Sequence, residues 1–113
     1  NYFKFTERCR TELLREIGIS QTDILNKYNI KFIVHSVSMN YINSAKLDDQ
    51  LTVETNIESL NKASIIFNQN IYKFFRDKKI DIINSKCKIV SIDSDSKVKP
   101  IPKLILDIIR EEG

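Results

Sequence analysis

Two glycines, two prolines, two cysteines, one histidine and no tryptophan occur in 113 residues, and each scarcity removes something. With so little Gly and Pro there is scant material for sharp turns, which leaves long uninterrupted elements. Cys9 and Cys87 form no C-x-x-C pair and have no His at ligand spacing, so they read as reduced core residues of a cytoplasmic protein. His35 is the lone side chain whose unperturbed pKa lies near neutrality, and it has too few companions for a metal site. A Ser36 or Cys9 nucleophile served by His35 can be drawn, but no strand-turn-helix elbow and no third orienting group accompany it. The longest apolar run falls far short of the roughly 18 residues of a membrane span, and no signal peptide is visible. Basic and acidic groups, 18 against 15, are interspersed without a block of one sign, so nucleic-acid binding finds little support. The net charge of +3 suits an anionic small molecule as well as a nucleic acid, and a generic soluble surface accounts for it better than either.

What remains is the composition of one globular domain, residues 1–113, with 42% hydrophobic and 29% charged residues. A chain this long buries roughly two thirds of the surface its unfolded form exposes. From Tyr2 to Ile17 the apolar side chains recur at helical spacing and spread over about half the helix circumference, wider than the roughly 100° stripe of a surface helix. That helix expects deep burial. It stops near Gly18, a plausible C′ glycine, and "SQTDILNKYNI" reads as a short polar connector with one helical turn. From Lys31 the period changes from 3.6 to 2. "KFIVHSVSMNYI" sets Ile33, Val37, Met39 and Tyr41 on one face, and "LTVETNIES" sets Leu51, Val53, Thr55 and Ile57 against polar neighbours. "ASIIFNQNIYKFF" and "IDIINSKCKIVSID" give two more strands, with "LNKAS" and "RDKK" as hairpin connectors. The closing "PKLILDIIREE" is a short helix with Pro102 suited to its start.

The order is therefore helix, four long antiparallel strands, helix, an α+β chain. Long strands twist, so such a sheet curls, and a curled sheet with an apolar concave face needs one long apolar object to fill it. The first helix is that object. "NYFKFTERCRTELLREIG", "FIVHSVSMNYINSAKLDDQLTVETNI", "FNQNIY" and "KVKPIP" resemble, in order and spacing, the YbgC-type acyl-CoA thioesterases of the 4-hydroxybenzoyl-CoA thioesterase family of hotdog proteins. The most specific pieces are Tyr2, Glu7, Arg10 and Glu12 on the helix, and the turn Y-x-x-x-A-x-L-D-D-x-L formed by Tyr41, Ala45, Leu47, Asp48, Asp49 and Leu51. The resemblance covers essentially the whole chain. It implies a hotdog fold, a long central helix wrapped by a curved sheet, and hydrolysis of short or medium acyl thioesters of coenzyme A or of acyl carrier protein. Coenzyme A enters as part of the substrate and no further cofactor is implied.

Members of that family begin with a further strand and a loop D-x-D-x-x-G-x-V-x-H, whose aspartate does the chemistry and which runs into the Asn-Tyr standing here as Asn1 and Tyr2. Neither piece is in this sequence, so the expectation is a truncated chain of an enzyme whose catalytic carboxylate precedes Asn1. Asn1 and Tyr2 then border the site, or serve simply as N-cap and core aromatic. The resemblance places Glu7 at the acyl pocket, and Phe32 and Ser36 are expected with it among the substrate-binding residues. It places Lys62 and Ser64, in the turn "NKAS", at the phosphates of coenzyme A, with Lys97, Lys99 and Lys103 behind them. Each of these has a bland alternative as a solvated or packing residue. Arg10 falls inside the apolar arc, where a charged head needs a partner: a carboxylate of a second copy, or of Asp48 or Asp49. Adjacent residues of an extended chain point to opposite faces, so Asp48 and Asp49 are expected to shape their turn rather than act as a catalytic pair.

The alternative function is a non-catalytic hotdog subunit that binds acyl groups or a protein. By resemblance the chain pairs through sheet edges into a homodimer or homotetramer. Loss of the first family strand is expected to leave "IDIINSKCKIVSID" without a neighbour.

Overall fold

A computed structural model describes residues 2–112. Helix α1 spans Tyr2–Glu16, in a stretch free of Gly and Pro and rich in Glu, Arg and Leu, all good helix formers. It ends in a paired C-terminal motif: the Ile19 N–H donates to the Leu14 carbonyl at 2.8 Å and the Gly18 N–H to the Arg15 carbonyl at 3.0 Å. Gly18 sits at φ 94°, where a side chain would be strained. The expected one-turn connector is a full helix, α2, Gln21–Tyr28. Its eight residues hold because both ends are capped. The Ser20 hydroxyl accepts from the Asp23 N–H, and Asn29 takes the left-handed conformation at φ 55° and returns its N–H to Leu25.

Four strands follow, β1 Lys31–Tyr41, β2 Thr52–Leu60, β3 Ser64–Phe75 and β4 Lys78–Ile92, and helix α3, Lys103–Glu112, closes the chain. They form one antiparallel sheet in the order β1-β4-β3-β2. Strand β4 lies in the middle, paired with β1 on one side and β3 on the other. The expectation that it lacks a neighbour is therefore wrong. Among the described residues β1 and β2 are the strands with an open edge.

Bulges interrupt the ladder at His35, at Glu58 and between Ile71 and Tyr72. Each bends and twists its strand, which is how the sheet curls around α1. The bulge at His35 also corrects the face assignment of β1. An extra residue reverses the alternation, so Phe32 and Val34 share the inner face with Val37, Met39 and Tyr41, while Ile33 pairs with Val90 on the other. On β2 the expected face holds, with Val53 opposite Ile71 and Ile57 opposite Phe67.

Two apolar clusters fill the concave side. The larger joins Leu14 of α1 to Ile19, Ile24, Ile30, Ile65 and Phe67, with Ile101, Ile105 and Ile109 arriving from the C-terminal segment, and Leu13 and Ile17 pack against it. The smaller gathers Ile71, Ile82 and Ile83 under Tyr2 and Phe5. Helix α1 thus lies along the curved sheet from the Tyr41 end to the Lys31 end. No helix among the described residues is long and apolar enough to cross a membrane.

Candidate active site

The most deeply buried line on α1 is Thr6, Arg10 and Leu14, spaced four residues apart. Two of the three are polar, and both meet one residue of the sheet. Gln69 is fully buried on the inner face of β3. Its Nε2 donates to the Thr6 carbonyl at 2.9 Å and to the Thr55 hydroxyl on β2 at 3.1 Å, while its Oε1 accepts from Arg10 Nη1 at 2.8 Å. Arg10 therefore pairs with a neutral amide rather than with Asp48 or Asp49. Its guanidinium keeps a second nitrogen, Nη2, buried and without a protein partner among the described residues.

Beside this network, between α1 and the inner face of β1, lies a cavity of about 90 Å³ lined by Glu7, Arg10, Thr11, Phe32, Val34 and Phe67, among others. The structure thus brings Glu7 and Phe32 together at one cavity. Phe32 reaches the cavity because the His35 bulge turns it inward. Ser36 is paired with Lys88 on the opposite, convex face, and His35 is exposed at the bulge itself. The buried Cys87 thiol is pushed up chiefly by desolvation, with nearby Arg10 opposing and Glu7 reinforcing the shift. Burial raises Cys9 as well, against the pull of Arg8 and Arg10. Neither thiol is set up as a thiolate nucleophile.

The amino end of α1 points to the open end of the sheet. There the Tyr2 ring meets Tyr41 edge-on, with centroids 6.1 Å apart; Asn1 lies outside the described residues. Asp49 anchors the adjoining loop: one oxygen accepts from the Lys46 N–H at 2.7 Å and from Lys73 Nζ at 2.8 Å. That is the turn-shaping role expected of it, while Asp48 is exposed. Lys62 and Ser64 sit at the other end, about 23 Å along β3 from Ile71 at the usual strand rise. Their turn is tied to the C-terminal segment, the Lys62 carbonyl accepting from Ile101 at 2.8 Å. Lys99 is committed to the Tyr28 carbonyl at the end of α2. Gln69 does not stand out by motif, although the sequence carries a signal for it. It is a polar residue in the apolar alternation Ile65, Phe67, Gln69, Ile71, facing a helix whose apolar arc is broken by Arg10, and two misplaced polar groups on facing elements imply each other.

A sequence model of the thioesterase superfamily matches residues 1–75. The acyl-CoA thioesterase YbgC of Haemophilus influenzae is 32% identical over 100 residues, 88% of this chain and 70% of that protein. The acyl-CoA thioester hydrolase YbgC of an Escherichia coli strain is 32% identical over 108 residues, 94% of this chain and 77% of that protein. Among solved structures, 4-hydroxybenzoyl-CoA thioesterase in complex with 4-hydroxybenzoyl-CoA superposes with a TM-score of 0.87 over 96% of this chain and 82% of that one, at 15% identity. At that identity the likeness speaks for the fold.

Proposed function

This chain belongs to the thioesterase superfamily, and from that premise we propose that it is an acyl-CoA thioesterase hydrolysing short or medium acyl groups. The observation that carries the reading is identity of 32% to acyl-CoA thioester hydrolases along 94% of the chain. The amino end of α1 supports this reading. Attack on a thioester carbonyl builds negative charge on its oxygen, and preorganised N–H donors at that point are commonly the largest catalytic contribution. A helix N-terminus offers such groups together with the positive end of its dipole, and the amino end of α1 lies at the open end of the sheet. An acyl chain running from there along α1 meets the Glu7–Phe32 cavity after about 8 Å, the rise from Tyr2 to Glu7.

The D-x-D-x-x-G-x-V-x-H motif of the family does not occur in these 113 residues, and no nucleophile or general base is assigned among them. Coenzyme A enters as part of the substrate, acyl carrier protein is an alternative thioester carrier, and no cofactor takes part. Two unpaired cysteines fit a reducing cytoplasm. The partner is a second copy, as homodimer or homotetramer: β1 is an eleven-residue open edge with Ile33, Val34 and Val37 each about 40% exposed, the kind of edge that recruits another strand.

The decisive experiment follows thiol release from a panel of acyl-CoA and acyl carrier protein thioesters by the full-length gene product. Turnover of short acyl-CoAs is expected. Tight binding without release would replace hydrolysis by acyl binding, and a stable monomer in sedimentation would remove the dimer.

A further inference from the structure

We propose that Gln69 is a positioning residue for the reaction, holding the amino end of α1 in place over the sheet; the inference rests on the thioesterase reading above. Most of α1 meets the sheet through Ile, Leu and Phe side chains, and such packing is non-directional. It fixes how deep the helix sits more firmly than where it stands along its axis. Gln69 supplies the directional ties. It joins the second turn of α1 through the Thr6 carbonyl at 2.9 Å, the third turn through Arg10 Nη1 at 2.8 Å, and β2 through Thr55 at 3.1 Å.

Every hydrogen-bonding site this arrangement needs on the amide is used. Both N–H groups donate and the oxygen accepts from a cation, so the amide has one orientation and cannot flip. In a buried setting such a network specifies geometry, and removing one partner alone also costs stability, because Arg10 is then left buried with neither terminal nitrogen paired. Its place along the helix matters. Leu14 is held in the large cluster at the far end, whereas Thr6 stands four residues, about 6 Å, from Tyr2. A helix anchored by Leu14 and released at Thr6 pivots, and its amino end moves most. Misplacement of a reacting group by about 1 Å can cost on the order of 100-fold in rate.

The test is Gln69→Met, close in size and without hydrogen bonds, and Gln69→Glu, which keeps the acceptor for Arg10 and loses both donors, each in the full-length protein. For Gln69→Met, kcat is expected to fall by roughly 10- to 100-fold with KM within about threefold, because ground-state binding is spared; Gln69→Glu should fall less. Amide exchange, which needs no activity, should quicken at residues 6–10 by about tenfold or more and stay unchanged at residues 13–16. If Gln69→Met fails to fold, Thr55→Val removes one anchor of the amide and should show the same asymmetry more weakly. Retained kcat with unchanged exchange overturns the proposal, and so does a loss of protection that is equal at both ends of α1. Should the unmodified protein release no thiol from any acyl thioester, the functional reading fails by itself and the exchange asymmetry still decides the role of Gln69.

Discussion

At the end of the sheet where β1 begins, α2 and α3 close over Ile19, Ile24, Ile30, Ile65 and Ile109, none more than 3% exposed. At the opposite end Tyr41, Ile42, Leu47, Phe74 and Phe75 range from 49% to 106% exposed. The same composition, rich in Ile and aromatics, gives a sealed core at one end and uncovered apolar surface at the other. The sealed end has two short helices folded onto it, each supplying isoleucines. The open end has the amino terminus of α1, a loop and a hairpin tip. Stability resides in the first, and the site proposed above lies at the second, the division a scaffold with a site at one end requires.

The largest effect expected from this contrast is on stability. Ile30→Ala empties a fully buried position and should cost about 2–5 kcal/mol. Leu47→Ala, fully exposed at the open end, should stay within about 0.5 kcal/mol. Urea unfolding of the two variants checks both. Similar losses would mean that the open end is covered in solution, with a second copy as the first occupant to test.

A middle-sized effect sits at the tip of the open end. Arg76 and Asp77 both have positive φ, 52° and 66°, the two-residue hairpin geometry that Asn-Gly fits best. Strain there is of the order of 1 kcal/mol per ordinary residue. Replacing the pair by Asn-Gly also removes the Arg76 guanidinium from the Phe75 ring, 5.2 Å from its centroid, worth about 0.5 kcal/mol when exposed. The net is a gain of about 0.5–1 kcal/mol, read as a raised urea midpoint, and a loss would show that the cation over the ring matters more than the backbone.

Much of the closed architecture was legible in sequence because it is written in short-range periodicity. The arc from Tyr2 to Ile17 and the change of period at Lys31 gave the helix and the strands, and Gly18 gave the stop. The bulge at His35 was not legible, since nothing local distinguishes "VHS" from regular strand, and one inserted residue moved Ile33 outward and Phe32 inward. The polar sequence of α2 implies one turn. Its two turns are held by Ser20, Asn29 and a single buried isoleucine, Ile24. The partner of Arg10 lies 59 residues away, beyond any local pattern, and the placement of β4 in the middle of the sheet is a matter of topology that strand patterns do not encode.

The smallest effect distinguishes two carboxylates, one at each end, that are both held below the ordinary range for different reasons. Asp49 at the open end is lowered first by the hydrogen bond from the Lys73 side chain and then by the Lys46 backbone. Asp93, at the end of β4, is lowered first by the backbone N–H of Lys97, which reaches its Oδ1 at 3.1 Å. A depressed folded-state pKa contributes stability that is fully present above the unfolded carboxyl value of about 3.9 and is lost as pH falls through the folded value. Both groups therefore work at neutral pH and fail in acid. Lys73→Met should move the Asp49 titration upward and weaken the acid-side pH dependence that Asp49 contributes. Lys97→Met should leave Asp93 nearly where it is, because the backbone donor survives the change of side chain. Carbon-detected NMR titration of the two aspartates separates the cases, and an equal rise in both variants would show that long-range charge, rather than the named hydrogen bonds, sets the two values.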